Sequence, residues 1–316
     1  MEWAAPDADA GAPRPRLEAQ PLDSRKRAQG PAVRIPPLAP MTASDILDGS
    51  FAILKAAPAT IVAFTAVFAV PVQVLAAWLQ RDLFGGSSMF ELFEDGDASL
   101  TAIESGSSDG TWASVILLFG PSLALVFVAA GLVRLVGAWH VGSDLTLSDL
   151  LRGSLPMAWP LLASWVLVHV AEGIGLLLCG LPALVAMTWF LATAPVIGAE
   201  RLGPIDAMRR SARLASRRFW PVMGLSLLSG LVAYLFSQAL GLLPTVLTLF
   251  IGTDGIGWVL LAASGVLTSL ITMPVVAGAT VLIYLDLRVR TEGLDLELEA
   301  AEAFPAPAAS ASPTGP

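Results

Sequence analysis

Four polar side chains stand out because their types and positions suit chemistry inside a membrane. His169 and Glu172 are three residues apart, a spacing that places both on one face of a helix. Gln73 and Gln238 lie in two other long apolar runs. Counted from the arginine-rich helix ends, Glu172, Gln73 and Gln238 reach similar heights of roughly 22 to 27 Å. Polar and ionisable groups are costly in lipid, so these four residues predict a polar intramembrane site.

A second interpretation of the same residues needs no ligand. Amide and imidazole groups also form hydrogen bonds between helices, and Glu172 is tolerated near a short turn at the membrane surface. A metal site is not predicted, because Cys179 lies about 10 Å of helix rise beyond Glu172 and ligands bind zinc at about 2.0 to 2.3 Å. The sequence contains no nucleophile elbow, phosphate loop or paired-carboxylate hydrolase pattern. We therefore predict no catalytic activity, no metal and no cofactor.

A cluster of basic residues forms the second candidate site. It consists of Arg209, Arg210, Arg213 and Arg217, which fall on one side of a predicted helix. Another side of that helix carries an apolar stripe: Ile205, Met208, Ala212, Ala215 and Phe219. This pattern is typical of a helix in the plane of the membrane interface, with its arginines toward anionic lipid headgroups or a protein partner. The alternative is that the arginines only fix the membrane topology.

The fractions of hydrophobic and charged residues indicate whether the chain is surrounded by water or by lipid. Of the 316 residues, 55% are hydrophobic and 14% are charged, whereas soluble chains carry about 25% charged residues. The net charge of −8 argues against nucleic-acid binding, and the single cysteine, Cys179, excludes an intrachain disulfide. The chain is therefore predicted to be an integral membrane protein.

Six uncharged runs are each long enough to cross a bilayer core of about 30 Å once. Because backbone polar groups in lipid must bond within their own segment, these runs are predicted to be helices. The predicted spans are 58–80, 113–138, 157–178, 182–199, 220–244 and 257–285. Most tryptophans outside the N-terminal tail lie near the predicted boundaries, where indole rings are favoured.

The basic residues predict the orientation of these spans. Every Lys and Arg except Arg81 falls on one side of the predicted membrane. The positive-inside rule then places both termini in the cytoplasm of a protein of the cell membrane, with the acidic segment 82–109 outside. Residues 1–40 and 291–316 are predicted to be disordered cytoplasmic tails, the first rich in Pro and Ala and the second acidic before it becomes Pro- and Ala-rich. They flank a six-span membrane domain over 41–290.

An internal repeat precedes the first, third and fifth spans. The repeated segments are TASDILDGSF at 42–51, TLSDLLRGSL at 146–155 and GPIDAMRRSA at 203–212. Each begins with a cap residue, Thr or Gly, and has Asp three positions later, which is the capping-box arrangement of a helix start. The fold class is therefore predicted to be an all-α polytopic bundle of six transmembrane helices. The helices form three hairpins, each led by a short amphipathic cytoplasmic helix.

The chain resembles an actinobacterial family of multi-span proteins that are similar to the membrane domain of glycerophosphoryl diester phosphodiesterase. The resemblance covers about residues 36–300 and rests on three segments: SDILDGSF at 44–51, ERLGPIDAMRRSARLASRRFWPVMG at 200–224 and LIYLDLRVRTEGLDLEL at 282–298. In phosphodiesterases with this domain, catalysis belongs to a separate soluble barrel, which this chain is expected to lack. The resemblance thus implies membrane association and assigns no catalytic residue.

Two functions follow as hypotheses. The first is a non-enzymatic membrane module that interacts with the bilayer, including anionic headgroups, or docks a membrane or cytoplasmic protein through its arginine cluster. The second is a permease or transporter subunit with a polar site around Glu172, using Gln73 and Gln238 as well.

Overall fold

The structure of the chain, a computed structural model, describes residues 39–80, 108–252 and 256–296. Most of the two predicted tails and of the acidic segment 82–109 lie outside the described residues. The described residues are helical and contain no strand, and six helical segments are long and apolar enough to cross a membrane. The predicted fold class is confirmed.

Ten helices make up the described chain. They are α1 (Ala43–Ala56), α2 (Pro58–Gln80), α3 (Ser108–His140), α4 (Leu147–Ser154), α5 (Ala158–Leu177), α6 (Leu181–Phe190), α7 (Thr193–Glu200), α8 (Pro204–Ser216), α9 (Phe219–Ile251) and α10 (Gly257–Glu292). A 3₁₀ turn, Leu155–Met157, joins α4 to α5. The six spans are α2, α3, α5 with its leading helix α4, the pair α6 and α7, α9 and α10.

The three repeat segments form the starts of α1, α4 and α8. Thr42 caps α1: its hydroxyl accepts the Asp45 N–H at 3.3 Å, and its own N–H donates to the Asp45 carboxylate at 2.8 Å. The same capping box joins Thr146 and Asp149 at the start of α4. Hydrogen bonds from the Thr42 hydroxyl and backbone hold the pKa of Asp45 below its usual value. The third segment has a glycine at the cap position, which provides no side-chain bond, and a proline at the first helical position.

The fourth predicted span, 182–199, is interrupted. Helix α6 ends at Phe190, and the chain turns at Leu191 and Ala192 before α7 begins. Pro195 explains the interruption, because it has no N–H to donate to the carbonyl of Leu191 and its ring would clash with that carbonyl in a continuous helix. The predicted span is confirmed as a membrane-crossing segment, Leu181–Glu200, that contains a turn between two helices.

Helix α10 is the most buried of the spans and lies at the centre of the bundle. It packs against α1, α2, α3 and α9. Small residues allow close approach of the backbones, as at Gly278, where an added Cβ would lie 3.3 Å from the Cα of Ser50 in α1. The α5–α6 hairpin lies at the periphery and closes with a tight turn, in which Cys179 and Gly180 both have positive φ.

Candidate functional site

The basic end is the end of the bundle where α1 and α8 meet the C-terminal part of α10, and where α4 packs against α2 and α3. A charged network there joins Glu200 of α7, Arg210 of α8 and Glu292 of α10. Arg210 Nε donates to both Glu200 oxygens, at 3.2 and 3.1 Å, and its two Nη atoms donate to the Glu292 carboxylate. The side chains of the three residues are only 20 to 25% exposed. The forked guanidinium therefore fixes the relative positions of three helices.

Two residues of α10 complete this network. The buried Tyr284 donates its hydroxyl to Glu200 Oε1 at 2.9 Å, and Arg288 Nε donates to Glu292 Oε2 at 3.2 Å. The hydrogen bonds to Glu292, together with the charge of Glu200, raise the pKa of Arg210 above its usual value. Two carboxylates thus face two guanidinium groups that stay charged at any physiological pH. The network is a permanent connection between helices and not a pH-sensitive one.

A second ion pair holds the start of α1 against α10. Asp286 accepts the backbone N–H of Met41 at 2.8 Å and also receives Arg290 Nε at 2.7 Å. Arg290 Nη2 donates to the Met41 carbonyl at 2.8 Å. Both polar groups of the Met41 backbone are therefore bonded to one turn of α10, directly before the Thr42 cap.

Ser211 of α8 bridges the interruption between α6 and α7. Its hydroxyl accepts the N–H of Ala192 at 3.2 Å and donates to the carbonyl of Trp189 at 2.7 Å. Both are backbone groups beside the turn that Pro195 imposes. Ser211 is fully buried, so the serine satisfies backbone groups that would otherwise be unpaired inside the protein.

The serine has equivalents in the other two repeat segments. Ser50, Ser154 and Ser211 each follow their cap residue by eight positions, and all three are buried. The first two donate to carbonyls of their own helices, at 2.6 and 2.7 Å. Only the third reaches a neighbouring span.

The structure separates Arg210 from the other residues of the predicted basic face. Arg209, Arg213 and Arg217 are exposed, and Arg209 pairs only with the equally exposed Asp206 at 3.6 Å. Arg217 Nη1 lies 3.4 Å from the Thr291 carbonyl. Arg210 lies instead in the charged network, so its assignment to the exposed face is corrected.

The apolar stripe predicted for α8 also differs from the observed one. The buried residues of the helix are Ala207, Ser211, Leu214 and Ala215, which pack toward α6 and α7. Ile205, the first residue of the predicted stripe, is 54% exposed. The helix buries small residues because it packs against other helices of the protein, and this contact was not visible in the pattern of α8 alone.

A cavity of about 780 Å³ lies in the half of the bundle away from the basic end. We call it the distal cavity. It is lined by residues of α2, α3, α9 and α10, and both Gln73 and Gln238 are among them. Gln73 Nε2 donates to the Ser269 hydroxyl at 2.6 Å, which connects α2 to α10. Two of the four predicted intramembrane residues thus share one site.

His169 lies outside the distal cavity but contacts its wall. Its Nδ1 lies 2.8 Å from the Trp165 carbonyl, which can only accept, so Nδ1 carries a proton. Its Nε2 lies 3.1 Å from the Ser122 hydroxyl, which itself donates to the Phe119 carbonyl at 2.8 Å. Trp165 Nε1 donates to the same hydroxyl at 3.0 Å. Since Ser122 lines the cavity, His169 connects α5 to the cavity wall and acts as an interhelical contact.

Glu172 interacts electrostatically with His169 on the same face of α5 but does not join Gln73 and Gln238. It is half-buried on α5, makes no hydrogen bond within the described part of the chain and is not among the residues that line the cavity. The four predicted residues therefore do not form one site. No group of three metal-ligating side chains occurs among residues 39–80, 108–252 and 256–296.

The comparisons with known proteins gave no match: no family model, curated protein or solved structure is similar to this chain. The chain is an integral, multi-pass membrane protein on the basis of its six apolar helices.

Proposed function

We propose that the protein is a non-catalytic membrane module that binds anionic lipid headgroups through an exposed arginine face, formed by Arg209 and Arg213 of α8 and by Arg217 directly after it. The observation that carries this proposal is the anchoring of α8. Arg210 and Ser211 attach the helix to α6, α7 and α10, and the remaining arginines are left on the exposed side. An exposed base near a membrane surface contributes about 1 kcal/mol of attraction to anionic lipid.

Exposed tryptophans at the starts of two spans support an interfacial position for the basic end. Trp220 at the start of α9 and Trp159 at the start of α5 are 73% and 72% exposed. Indole rings at helix ends are typical of the membrane–water interface. In this proposal the basic end faces the cytoplasm, where anionic lipids attract polybasic segments, and both termini lie on that side in the cell membrane.

Lipid binding to the purified chain tests the proposal. Removal of two bases in R209Q/R213Q is expected to weaken binding of phosphatidylglycerol about 30-fold, from about 2 kcal/mol of lost attraction. The readout is native mass spectrometry of the detergent-solubilised protein at defined lipid concentrations. The matched control is K55Q/R152Q, which removes the same charge from exposed residues of α1 and α4.

Comparison of the two variants distinguishes lipid binding by the arginine face from attraction by the total positive charge. The proposal requires a clearly smaller loss in the control than in R209Q/R213Q. Equal losses would mean that only total charge matters, and an unchanged affinity in R209Q/R213Q would refute a role for α8.

The family resemblance is also part of the proposal. Its three segments are far apart in sequence, yet all contribute to the basic end: Glu200 and Arg210 of the second segment contact Tyr284 and Glu292 of the third. Ser50 of the first packs against Gly278, just ahead of the third segment. This convergence supports a shared interaction surface in that family, without assigning catalysis to it.

The permease alternative has weaker support. It depends on a polar site around Glu172, and Glu172 lies apart from Gln73 and Gln238. The residues that line the distal cavity include the two amides but no acidic, basic or histidine side chain that would couple transport to ion movement.

A further inference from the structure

The distal cavity contains polar groups that the protein itself leaves unpaired. Six lining side chains have no hydrogen-bond partner among the described residues: Ser237, Ser264 and Thr268, which are buried or half-buried, and Tyr234, Gln238 and Thr245, which are more exposed. They come from α9 and α10, two helices that pack against each other. An unpaired hydroxyl or amide is costly at membrane depth, because no bulk water reaches it. Polar atoms of a bound molecule are therefore expected to lie in the cavity.

The charge of the cavity restricts which molecule this is. None of the lining residues is charged. A charged group placed there would lose its hydration without gaining a counter-ion. The ligand part inside the cavity is therefore uncharged and rich in hydroxyl or similar groups, which can pair with both hydroxyl and amide side chains.

The remaining lining residues show that the ligand also has an apolar part. Leu118 of α3 and Leu242 of α9 line the cavity and are 70% and 65% exposed, so they mark its mouth. Helices α3 and α9 each pack against α10, and the mouth lies between them. In a membrane this opening faces hydrocarbon, which is where the acyl chains of a lipid lie. A volume of about 780 Å³ is within the range of small-molecule sites and far larger than one hydroxyl group requires.

We propose that the distal cavity binds an uncharged lipid with a polyhydroxylated headgroup, such as a diacylglycerol that carries one sugar. This site lies at the opposite end of the bundle from the arginine face and goes beyond the proposed function. The headgroup would occupy the hydroxyl- and amide-lined interior, and the acyl chains would leave between α3 and α9.

The test is a binding measurement on the full chain. Monoglucosyl diacylglycerol, diacylglycerol, phosphatidylcholine and phosphatidylglycerol are added in turn to protein in mild detergent, and bound lipid is counted by native mass spectrometry. In the wild type the glucolipid is expected to bind at least tenfold more tightly than diacylglycerol and phosphatidylcholine. The comparison with phosphatidylglycerol is made in R209Q/R213Q, which weakens the separate arginine face, and the same tenfold preference is expected there. Equal binding of diacylglycerol would overturn the sugar-headgroup assignment, and preference for phosphatidylglycerol in R209Q/R213Q would overturn the uncharged one.

Two variants locate the binding. Gly241 lines the cavity and an added Cβ would meet no atom within 4 Å, so G241L fills space without disturbing the helices. It is expected to abolish glucolipid binding. The control is G173L on α5, where an added Cβ also meets nothing and which is not among the cavity-lining residues. Retained binding in G241L, or equal loss in G173L, would refute the site.

A third variant tests the hydroxyl groups themselves. T268V keeps the shape of the side chain and removes its hydroxyl, so glucolipid affinity is expected to fall about fivefold, the value of one hydrogen bond. Unchanged affinity would mean that the cavity selects only by apolar contact. R209Q/R213Q is expected to bind the glucolipid like the wild type, which keeps this test independent of the arginine face.

Discussion

Arg210 and Ser211 are adjacent residues that attach α8 to the bundle in two different ways. Arg210 connects two carboxylates on separate helices, and Ser211 satisfies backbone groups at a helix interruption. Both are buried or nearly so, although both belong to a segment whose composition is that of an exposed basic helix. Their removal is therefore expected to affect stability more than lipid binding.

Replacement of Arg210 tests the charged network. R210M leaves Glu200 and Glu292 facing each other without their shared cation. The free energy of unfolding is expected to fall by about 2 kcal/mol, within the range for hydrogen bonds to charged groups. The measurement is the midpoint of thermal unfolding in one detergent. The exposed neighbour variant R213M is the control and is expected to change stability by no more than about 0.5 kcal/mol; similar effects of the two would contradict the network.

Replacement of Ser211 tests the bridge across the interrupted helix. S211A leaves the Ala192 N–H and the Trp189 carbonyl without their partner, at a cost of about 1 to 3 kcal/mol. The repeat provides a matched control in S154A, since the Ser154 hydroxyl bonds only to a carbonyl of its own helix. S154A is expected to be nearly neutral in the same thermal measurement. If S154A were as destabilising as S211A, the bridge would have no special role.

At the scale of residues, the helix caps could be predicted from the sequence, but the side-chain contacts between helices could not. The Thr42–Asp45 and Thr146–Asp149 boxes depend on residues three apart, so local spacing contained the information. The aligned serines of the repeat were a signal that could have revealed Ser211. The pairing of Glu200 with Tyr284 had no such signal, because the two residues are 84 positions apart and meet only through the packing of α7 on α10.

At the scale of helices, backbones come into close contact at glycine residues. An added Cβ at Gly198 of α7 would lie 2.4 Å from the Ala130 carbonyl oxygen of α3. G198A therefore forces the two helices apart and is expected to cost about 1 to 3 kcal/mol of stability. G137A on α3, where an added Cβ meets nothing within 4 Å, is the control and is expected to be neutral or slightly stabilising. The measurement is the midpoint of thermal unfolding of both variants. An unchanged stability of G198A would contradict the close packing of α7 on α3.

The helices themselves were largely predictable, because length and lack of charge define a span without reference to its neighbours. The interruption before α7 was not predicted as such, since proline is common in membrane helices. Whether it interrupts the helix depends on a partner for the freed backbone groups. Here that partner is Ser211, which comes from another helix.

At the scale of the molecule, charged and uncharged polar groups lie at opposite ends of the bundle. The three short helices, the charged network and the exposed arginines all lie at the basic end, while the distal half holds an uncharged cavity. Gln73 and Gln238 both line this cavity, which agrees with their similar predicted heights in the membrane. Glu172 was predicted at a similar height but does not line the cavity, because α5 lies at the periphery of the bundle. Height along a helix follows from sequence, but rotation and position within the bundle follow from packing.

The central claim is that the basic end faces the cytoplasm, and cysteine labelling across α3 tests it most directly. Two single-cysteine proteins are made in a C179A background: S105C before α3 and S143C after it. The helix between them is 33 residues long, enough to cross a bilayer. A membrane-impermeant maleimide is expected to label S105C in intact cells and S143C only after lysis. Labelling of S143C in intact cells, with S105C protected until lysis, would reverse the orientation, and labelling of both would show that α3 does not cross the membrane.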